Sequence, residues 1–142
     1  MINYNQDFYG WTQEQASLLR MGRFTDLDIE NLIEEVETMG RSEKRALESR
    51  LTVLLVHLLK WQYQPVRRSR SWELTIKNQR INFMKILRDN PGLKPSLDQL
   101  MLDAYQIATI EASQETGLDE KTFPIECPWN LQEVTNLDFF PD

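Results

Sequence analysis

One helical segment with a very high apolar content constrains this fold more than any other feature of the sequence. Apolar residues recur there at helical spacing and form one seam, made by Leu47, Leu51, Leu54, Leu58 and Trp61. Four more extend the apolar surface most of the way round: Val53, Leu55, Val56 and Leu59. A helix that is apolar on nearly all sides is a central one. The sequence therefore predicts a central helix that Ser42 opens and that ends at about Tyr63, because Pro65 follows.

The remaining segments predict further helices around this one. Capping residues, glycines and prolines place them at Thr12 to Gly22, Asp28 to Gly40, Trp72 to Asp89, Pro95 to Gly117 and, shortest, Leu131 to Val134. Thr12 and Gln15 form a predicted capping box for the first of these helices. The second has an apolar face at helical spacing, made by Ile29, Leu32, Ile33 and Val36. No stretch of useful length alternates as a strand does. Because the connections are short, sequential helices should pack antiparallel. The prediction is an all-α fold, a compact antiparallel bundle of about five helices with ordered, aromatic-rich terminal segments and a single domain over residues 1–142.

Charge and residue counts exclude several classes of function. The net charge of −6 argues against general electrostatic binding to nucleic acid or to an anionic membrane. Cys127 is the only cysteine and His57 the only histidine, which excludes an internal disulfide, a cysteine-rich zinc site and any site needing two histidines. No run approaches the ~18 apolar residues of a membrane span. Met1 to Trp11 lack a secretory signal pattern, so we expect a cytoplasmic protein.

A polar ridge interrupts the apolar surface of the central helix. At helical spacing, Arg50, His57 and Lys60 fall on one stripe, and the first two are two turns apart, about 10.5 Å along the axis. Charges also fall on the apolar seams of later helices, at Arg80 and at the pair Glu111 and Glu115.

These charges predict a network across the helices. Because a charge on an apolar face is costly unless paired, Arg80 should need a carboxylate, and Glu111 and Glu115 should need cations. The predicted network joins Arg50, His57, Arg80, Glu111 and Glu115, with Lys60 on the same ridge. Two interpretations stay open: a structural network that fixes helix register, or a site in the bundle interior.

A metal-independent ribonuclease is one function that such residues could serve. A histidine can move the proton of a ribose hydroxyl, and an arginine can hold the phosphate. The spacing of Arg50 and His57 on one helix resembles the arginine-to-histidine motif of the HEPN ribonuclease families, which are also small helical bundles. This interpretation makes Arg50 and His57 catalytic.

A carboxylate-rich metal site is a second possibility. Glutamates pair at helical spacing at Glu34 and Glu37 and again at Glu111 and Glu115, and His57 could complete a mononuclear site. The di-iron pattern of helical bundles needs two Glu-x-x-His motifs, which this chain lacks. The alternative is that the glutamates form a solvated face, and we expect no cofactor.

Several long motifs carry a resemblance to a known family. They are Asp7-Phe8-Tyr9-Gly10-Trp11-Thr12, Asn31-Leu32-Ile33-Glu34-Glu35-Val36-Glu37, Gly40-Arg41-Ser42-Glu43, the run from His57 to Pro65, Arg70-Ser71-Trp72, and Phe123-Pro124-Ile125-Glu126-Cys127-Pro128-Trp129. Over nearly its whole length the chain resembles a family common in cyanobacteria, the domain of unknown function, number 29. The resemblance implies a compact all-helical fold and a cyanobacterial source, and it carries no activity with it.

Association is the function that the sequence favours. Aromatic residues in both terminal segments would suit contacts with a second copy or with a protein partner. The basic cluster Arg67, Arg68 and Arg70 could contact nucleic acid, or could be a solvated loop that balances the acidic remainder. We therefore predict a non-enzymatic helical protein that acts as a homo-oligomer or with a protein partner, without a membrane.

Overall fold

The secondary structure consists of helices and turns throughout. The computed structural model describes residues 1–142 and contains five α-helices: α1 (Phe8–Arg20), α2 (Ile29–Tyr63), α3 (Arg70–Asp89), α4 (Leu97–Thr116) and α5 (Leu131–Thr135). Short 3₁₀ turns lie between them, and no strand is present. The prediction of an all-α fold with about five helices is confirmed. None of the helices combines the length and the apolar character that crossing a membrane requires.

Helix α2 departs most from the sequence prediction. The sequence predicts an end at Gly40 and a new start at Ser42, whereas α2 runs unbroken over 35 residues. A glycine ends a helix by adopting a positive φ, and only Gly22 and Gly117 do so. Gly40 is an ordinary helical residue, which costs about 1 kcal/mol relative to alanine. The five helices therefore divide the chain differently from the prediction, which had two helices in place of α2.

Helix α1 begins earlier than its predicted capping box. Its N-cap is Asp7, whose carboxylate accepts a hydrogen bond from the Gly10 backbone N–H at 2.9 Å. Thr12, the predicted N-cap, instead donates to a backbone carbonyl of the first helical turn. Gln15, the other half of the predicted box, is buried and accepts from the Asp28 backbone N–H at 2.8 Å.

Residues 1–42 form the smaller of two compact units, and residues 43–142 form the larger. We call them the first and the second unit. The core of the first unit is small, with Trp11 and Leu18 as its buried apolar residues. The rings of Tyr4 and Phe8 pack on Trp11, with centroids 4.7 and 5.8 Å away. The single domain expected from the sequence stays a prediction.

The second unit holds the large hydrophobic core. The predicted seam of the central helix is fully buried at Leu47, Leu51, Leu54 and Leu58. Helices α3 and α4 and the following segments contribute further buried residues: Ile76, Phe83, Leu100, Ala104, Ala108, Phe123, Trp129 and Val134. The C-terminal half of α2 is therefore the central helix of this unit, as its apolar surface predicts.

The last seven residues, 136–142, lie on the second unit and are called the tail below. Phe140 packs on Trp61 with ring centroids 4.8 Å apart, and Phe139 packs on Trp129 at 6.5 Å. Arg68 donates from Nη2 to the Asp142 carbonyl at 2.6 Å. These contacts give the ordered, aromatic C-terminal segment that the sequence predicts.

Candidate functional site

The polar ridge of α2 begins with Arg50 and His57, which are both half-buried. Arg50 reaches across to α3, where its Nη1 donates to the Gln79 side-chain oxygen at 3.5 Å. His57 stays on its own helix, with Nδ1 2.9 Å from the Val53 carbonyl. Neither side chain forms an ion pair, so both keep atoms available for another partner.

Lys60 is the last residue of the polar ridge, and its side chain connects α2 with α3 and α4. Its Nζ lies 3.6 Å from Glu115 of α4 and 4.9 Å from the ring centroid of Trp72 of α3. The lysine side chain is only 14% exposed, whereas that of Glu115 is half exposed. The structure therefore supplies the cation that the sequence predicts for Glu115, and that cation is Lys60.

Burial controls the protonation of His57. Desolvation lowers the pKa of its imidazole below 6.5, and the positive charge of Lys60 lowers it further. The Val53 carbonyl and the Glu115 carboxylate act in the opposite direction and raise the pKa. A neutral imidazole facing a carbonyl with Nδ1 carries its proton there, which leaves the Nε2 lone pair as an acceptor.

Arg80 is the most buried charge of the chain, with an exposed fraction of 0%. Its Nε donates to the Val134 carbonyl at 2.8 Å, and the Phe140 ring lies 5.6 Å from its guanidinium carbon. Nη1 and Nη2 are buried and have no hydrogen-bond partner. Desolvation lowers the pKa of this guanidinium to about 10, although the charge of Asp138 acts to raise it.

The predicted network is therefore formed only in part. Arg80 has no carboxylate partner, because Val134 and the tail occupy its surroundings instead. Glu111 is exposed and lies at a surface cleft with Arg45 and Thr52, so it does not need the cation that a buried position would require. The structure brings Lys60 and Glu115 together, and it does not bring Arg80 to either glutamate.

The glutamates proposed as metal ligands are engaged elsewhere. Glu34 and Glu37 are exposed residues of the first unit, and both pair with Arg41, at 3.4 and 3.6 Å. His57 belongs to the second unit. Nowhere in the chain do three or more histidine, cysteine, aspartate or glutamate side chains gather so that they could hold a metal ion.

The basic cluster after α2 is largely occupied by contacts within the chain. Arg68 donates from Nε to the Trp61 carbonyl at 2.8 Å and lies over the Trp61 ring at 4.9 Å. Arg70 pairs with Glu73 at 3.1 Å. Only Arg67 has neither a side-chain hydrogen bond nor an ion pair, and it is exposed. The cluster thus has one uncommitted arginine for a phosphate.

An exposed apolar stripe marks the first unit. It consists of Ile29, Ile33, Val36 and Met39 of α2, which are between 53% and 67% exposed. With half-buried Leu32, most of these residues line a shallow groove of about 360 Å³. The sequence predicts an apolar helix face here, but periodicity cannot tell whether anything covers it. This uncovered face is the feature that sequence reasoning missed.

The whole first unit is rich in exposed apolar side chains. Eleven of the 21 exposed large apolar residues belong to its 42 residues, among them Phe8, Leu19, Met21 and Phe24. Scattered apolar residues are normal on a surface, but a contiguous stripe marks an interaction site. The stripe is therefore a candidate association surface.

Comparison with known proteins adds one finding. The model of a family described as domain of unknown function DUF29 matches residues 3–140. No curated protein and no solved structure matches the chain.

Proposed function

We propose that this chain, which belongs to the DUF29 family, described as a domain of unknown function, associates with itself through the apolar stripe. The observation that carries this proposal is the exposure of four apolar side chains along one face of α2. Burying that face removes apolar surface from water, which is the main driving force for association. The protein then acts as a homodimer.

The spacing of the stripe suits packing against another helix. Ile29, Leu32, Val36 and Met39 are separated by three, four and three residues, which is the a/d pattern of two heptads. Ile33 widens the seam by one position. Such a face packs into the grooves of a neighbouring helix at an interaxial distance of about 8–10 Å.

A second copy of the chain is the occupant that the charges favour. Acidic residues flank the N-terminal part of the stripe at Glu30 and Glu34, and Arg41 follows its C-terminal end. In an antiparallel pair centred on Val36, the end of one stripe that Arg41 follows is level with the end of the other stripe where Glu30 stands. A two-fold interface repeats this pairing at both ends, because the same patch serves both partners.

Gly40 favours the same arrangement. In the antiparallel register it faces Leu32 of the second copy, and no neighbouring atom lies within 4 Å of the place where its Cβ would stand. The missing side chain leaves room for the leucine. Packing of Leu32 against Gly40 would explain why α2 contains a glycine that otherwise only destabilises the helix.

The small area of the stripe limits the strength of the proposed dimer. A standard interface buries about 800 Å² per partner, more than one short stripe provides. A larger interface would have to include other exposed apolar residues of the first unit, such as Phe8, Met21 and Phe24. We therefore expect a dissociation constant in the micromolar range rather than an obligate dimer, roughly 8 kcal/mol of association free energy.

Sedimentation equilibrium tests this proposal. The wild-type chain should show a reversible monomer–dimer equilibrium, and Val36→Glu should weaken it at least tenfold, because the interface would bury two like charges. Leu102→Glu is the matched control, since Leu102 is 61% exposed on α4 and Val36 is 63% exposed on α2. A wild-type protein that stays monomeric at about 100 μM would overturn the proposal of self-association.

A second candidate function is the ribonuclease predicted from Arg50 and His57. The observation in its favour is the orientation of His57, whose Nδ1 contact with Val53 leaves Nε2 as a possible general base. Arg50 is free of ion pairs and could hold a phosphate. Cleavage of single-stranded RNA that His57→Ala abolishes, with helical content unchanged, would support this function. No cleavage by the wild-type protein would end it.

We place the protein in the cytoplasm. The support is the single cysteine, Cys127, which is half-buried and whose thiol has a pKa raised by burial. Such a thiol is mostly protonated and unreactive. A fluorescent fusion expressed in the source cell would test the location.

A further inference from the structure

A cleft in the second unit lies where α3 meets the tail. It has a volume of about 460 Å³ and is lined by Arg80, Ile81, Met84, Lys85, Arg88 and Leu137. Its apolar walls are about half exposed at Ile81, Met84 and Leu137. Cavities of roughly 300–1,000 Å³ with mostly apolar walls and a few polar groups are typical of small-molecule sites.

Arg80 is the unusual residue among those that line this cleft. Its guanidinium is fully buried, and two of its three nitrogens have no hydrogen-bond partner. An unpaired buried charge is among the most costly groups a fold can contain. A guanidinium presents its donors as a planar fork that matches the two oxygens of a carboxylate. The two unpartnered nitrogens of Arg80 therefore have the geometry to bind a carboxylate.

The other charges of the cleft have the same sign as Arg80. Lys85 and Arg88 are exposed residues one and two turns further along α3. Arg88 contacts only its neighbour Asp89, at 3.4 Å between two exposed side chains. Asp138 attracts Arg80 electrostatically but does not bond to it. No acidic residue lines the cleft, so its field favours an anion.

We propose that this cleft binds a small amphipathic carboxylate, with its apolar body on Ile81, Met84 and Leu137 and its carboxylate on Arg80. Lys85 and Arg88 at the rim attract the anion. The Arg80 nitrogens are shielded from water in the free protein, so side chains around them shift when the carboxylate binds. The proposal does not depend on self-association, because the cleft belongs to the second unit and the stripe to the first.

Octanoate is a suitable probe, and its effect on the melting temperature of the full chain is the measurement. Octanoate should raise the melting temperature in a saturable way, because a ligand that binds only the folded state stabilises it. Arg80→Met should weaken octanoate binding at least tenfold. Arg67→Met, which removes an exposed arginine outside the cleft, should bind as the wild type does.

Two further probes separate the parts of the ligand. Octanol carries the same apolar body without the charge, and acetate carries the charge without the body, so both should bind at least tenfold more weakly than octanoate. Equal binding of octanoate by the wild type and Arg80→Met, or no saturable shift with octanoate, would overturn the proposal.

A second variant keeps the test decisive if Arg80→Met fails to fold. The double variant Lys85→Gln/Arg88→Gln changes only exposed side chains of α3. It should fold as the wild type does and weaken octanoate binding at least threefold, because two attracting charges are lost. Unchanged octanoate affinity in this variant would contradict the proposed site.

Discussion

Replacing Arg80 with methionine tests how the fold tolerates its buried guanidinium. Burial on folding lowers the pKa of Arg80 to about 10, well below the ordinary value of an arginine. Because the folded-state pKa lies below the unfolded one, the fold disfavours the protonated form. The penalty is fully present below about pH 10 and vanishes above the unfolded pKa. At ~1.4 kcal/mol per pKa unit, it amounts to roughly 3 kcal/mol at neutral pH.

The substitution also removes a favourable contact. The Nε hydrogen bond to the Val134 carbonyl involves a charged donor, and such bonds contribute about 1.5–3 kcal/mol. Methionine keeps an unbranched apolar side chain against Phe140. The two effects nearly cancel, so we expect Arg80→Met to change the free energy of unfolding by between about 0 and +2 kcal/mol.

Urea denaturation at neutral pH, followed by circular dichroism and tryptophan fluorescence, measures this change. Arg67→Met provides the control for removing an arginine from a solvated position. A loss of more than about 2 kcal/mol in Arg80→Met would refute the reasoning, because it would mean that the guanidinium is satisfied within the fold. The same variant should lose octanoate binding while it keeps its stability, which would show that the lost binding is not caused by unfolding.

Three further predictions concern single residues of the second unit. Burial lowers the pKa of His57, so the folded protein should lose stability as the pH falls from about 7.5 through the folded-state pKa. Urea denaturation repeated across that pH range should show a smaller pH dependence in His57→Gln. Tyr105→Phe should cost about 1–2 kcal/mol in the same assay, because its buried hydroxyl donates to the Pro124 carbonyl at 2.6 Å. Gly117→Ala should lower the melting temperature by an amount equivalent to about 1 kcal/mol, since Gly117 ends α4 at a φ of 77°. A flat pH response in the wild type, or unchanged stability in either of the other variants, would count against these assignments.

The helical fold could be predicted because apolar periodicity is strong in this chain. The seam from Leu47 to Leu58 is long enough to define a buried helix without knowledge of its neighbours. The break predicted at Gly40 was wrong, because a glycine interrupts a helix only when it adopts a positive φ. Apart from Ser42, the residues from Arg41 to Leu47 are good helix formers, and no proline lies near Gly40 to force a stop.

The polar groups were harder to predict than the core. The sequence predicts a cation beside Glu115, and Lys60, on the same ridge as His57, lies 3.6 Å from this half-exposed carboxylate. It also places Arg80 on an apolar seam, but the partner of Arg80 is a backbone carbonyl 54 residues away. Backbone carbonyls are present at every residue, so no side-chain pattern predicts which one will be used.

The candidate association surface shows the same limit. Spacing identifies Ile29, Ile33 and Val36 as one face of a helix, but the same spacing is found on faces that are buried and on faces that are not. Their exposure of more than half emerges only from the structure. The role of this face depends on what covers it, and we propose that a second copy of the chain does.

Disulfide cross-linking between two copies tests that claim most directly. In a background of Cys127→Ser, Val36→Cys places one thiol at the centre of the stripe, where the proposed two-fold axis brings it next to its equivalent in the second copy. Leu102→Cys, similarly exposed on α4, is the control. Under mild oxidation, Val36→Cys should form covalent dimers rapidly while Leu102→Cys stays monomeric, because a disulfide needs Cα atoms within about 7 Å. Equal, slow cross-linking of both variants would contradict the antiparallel pairing of the stripe.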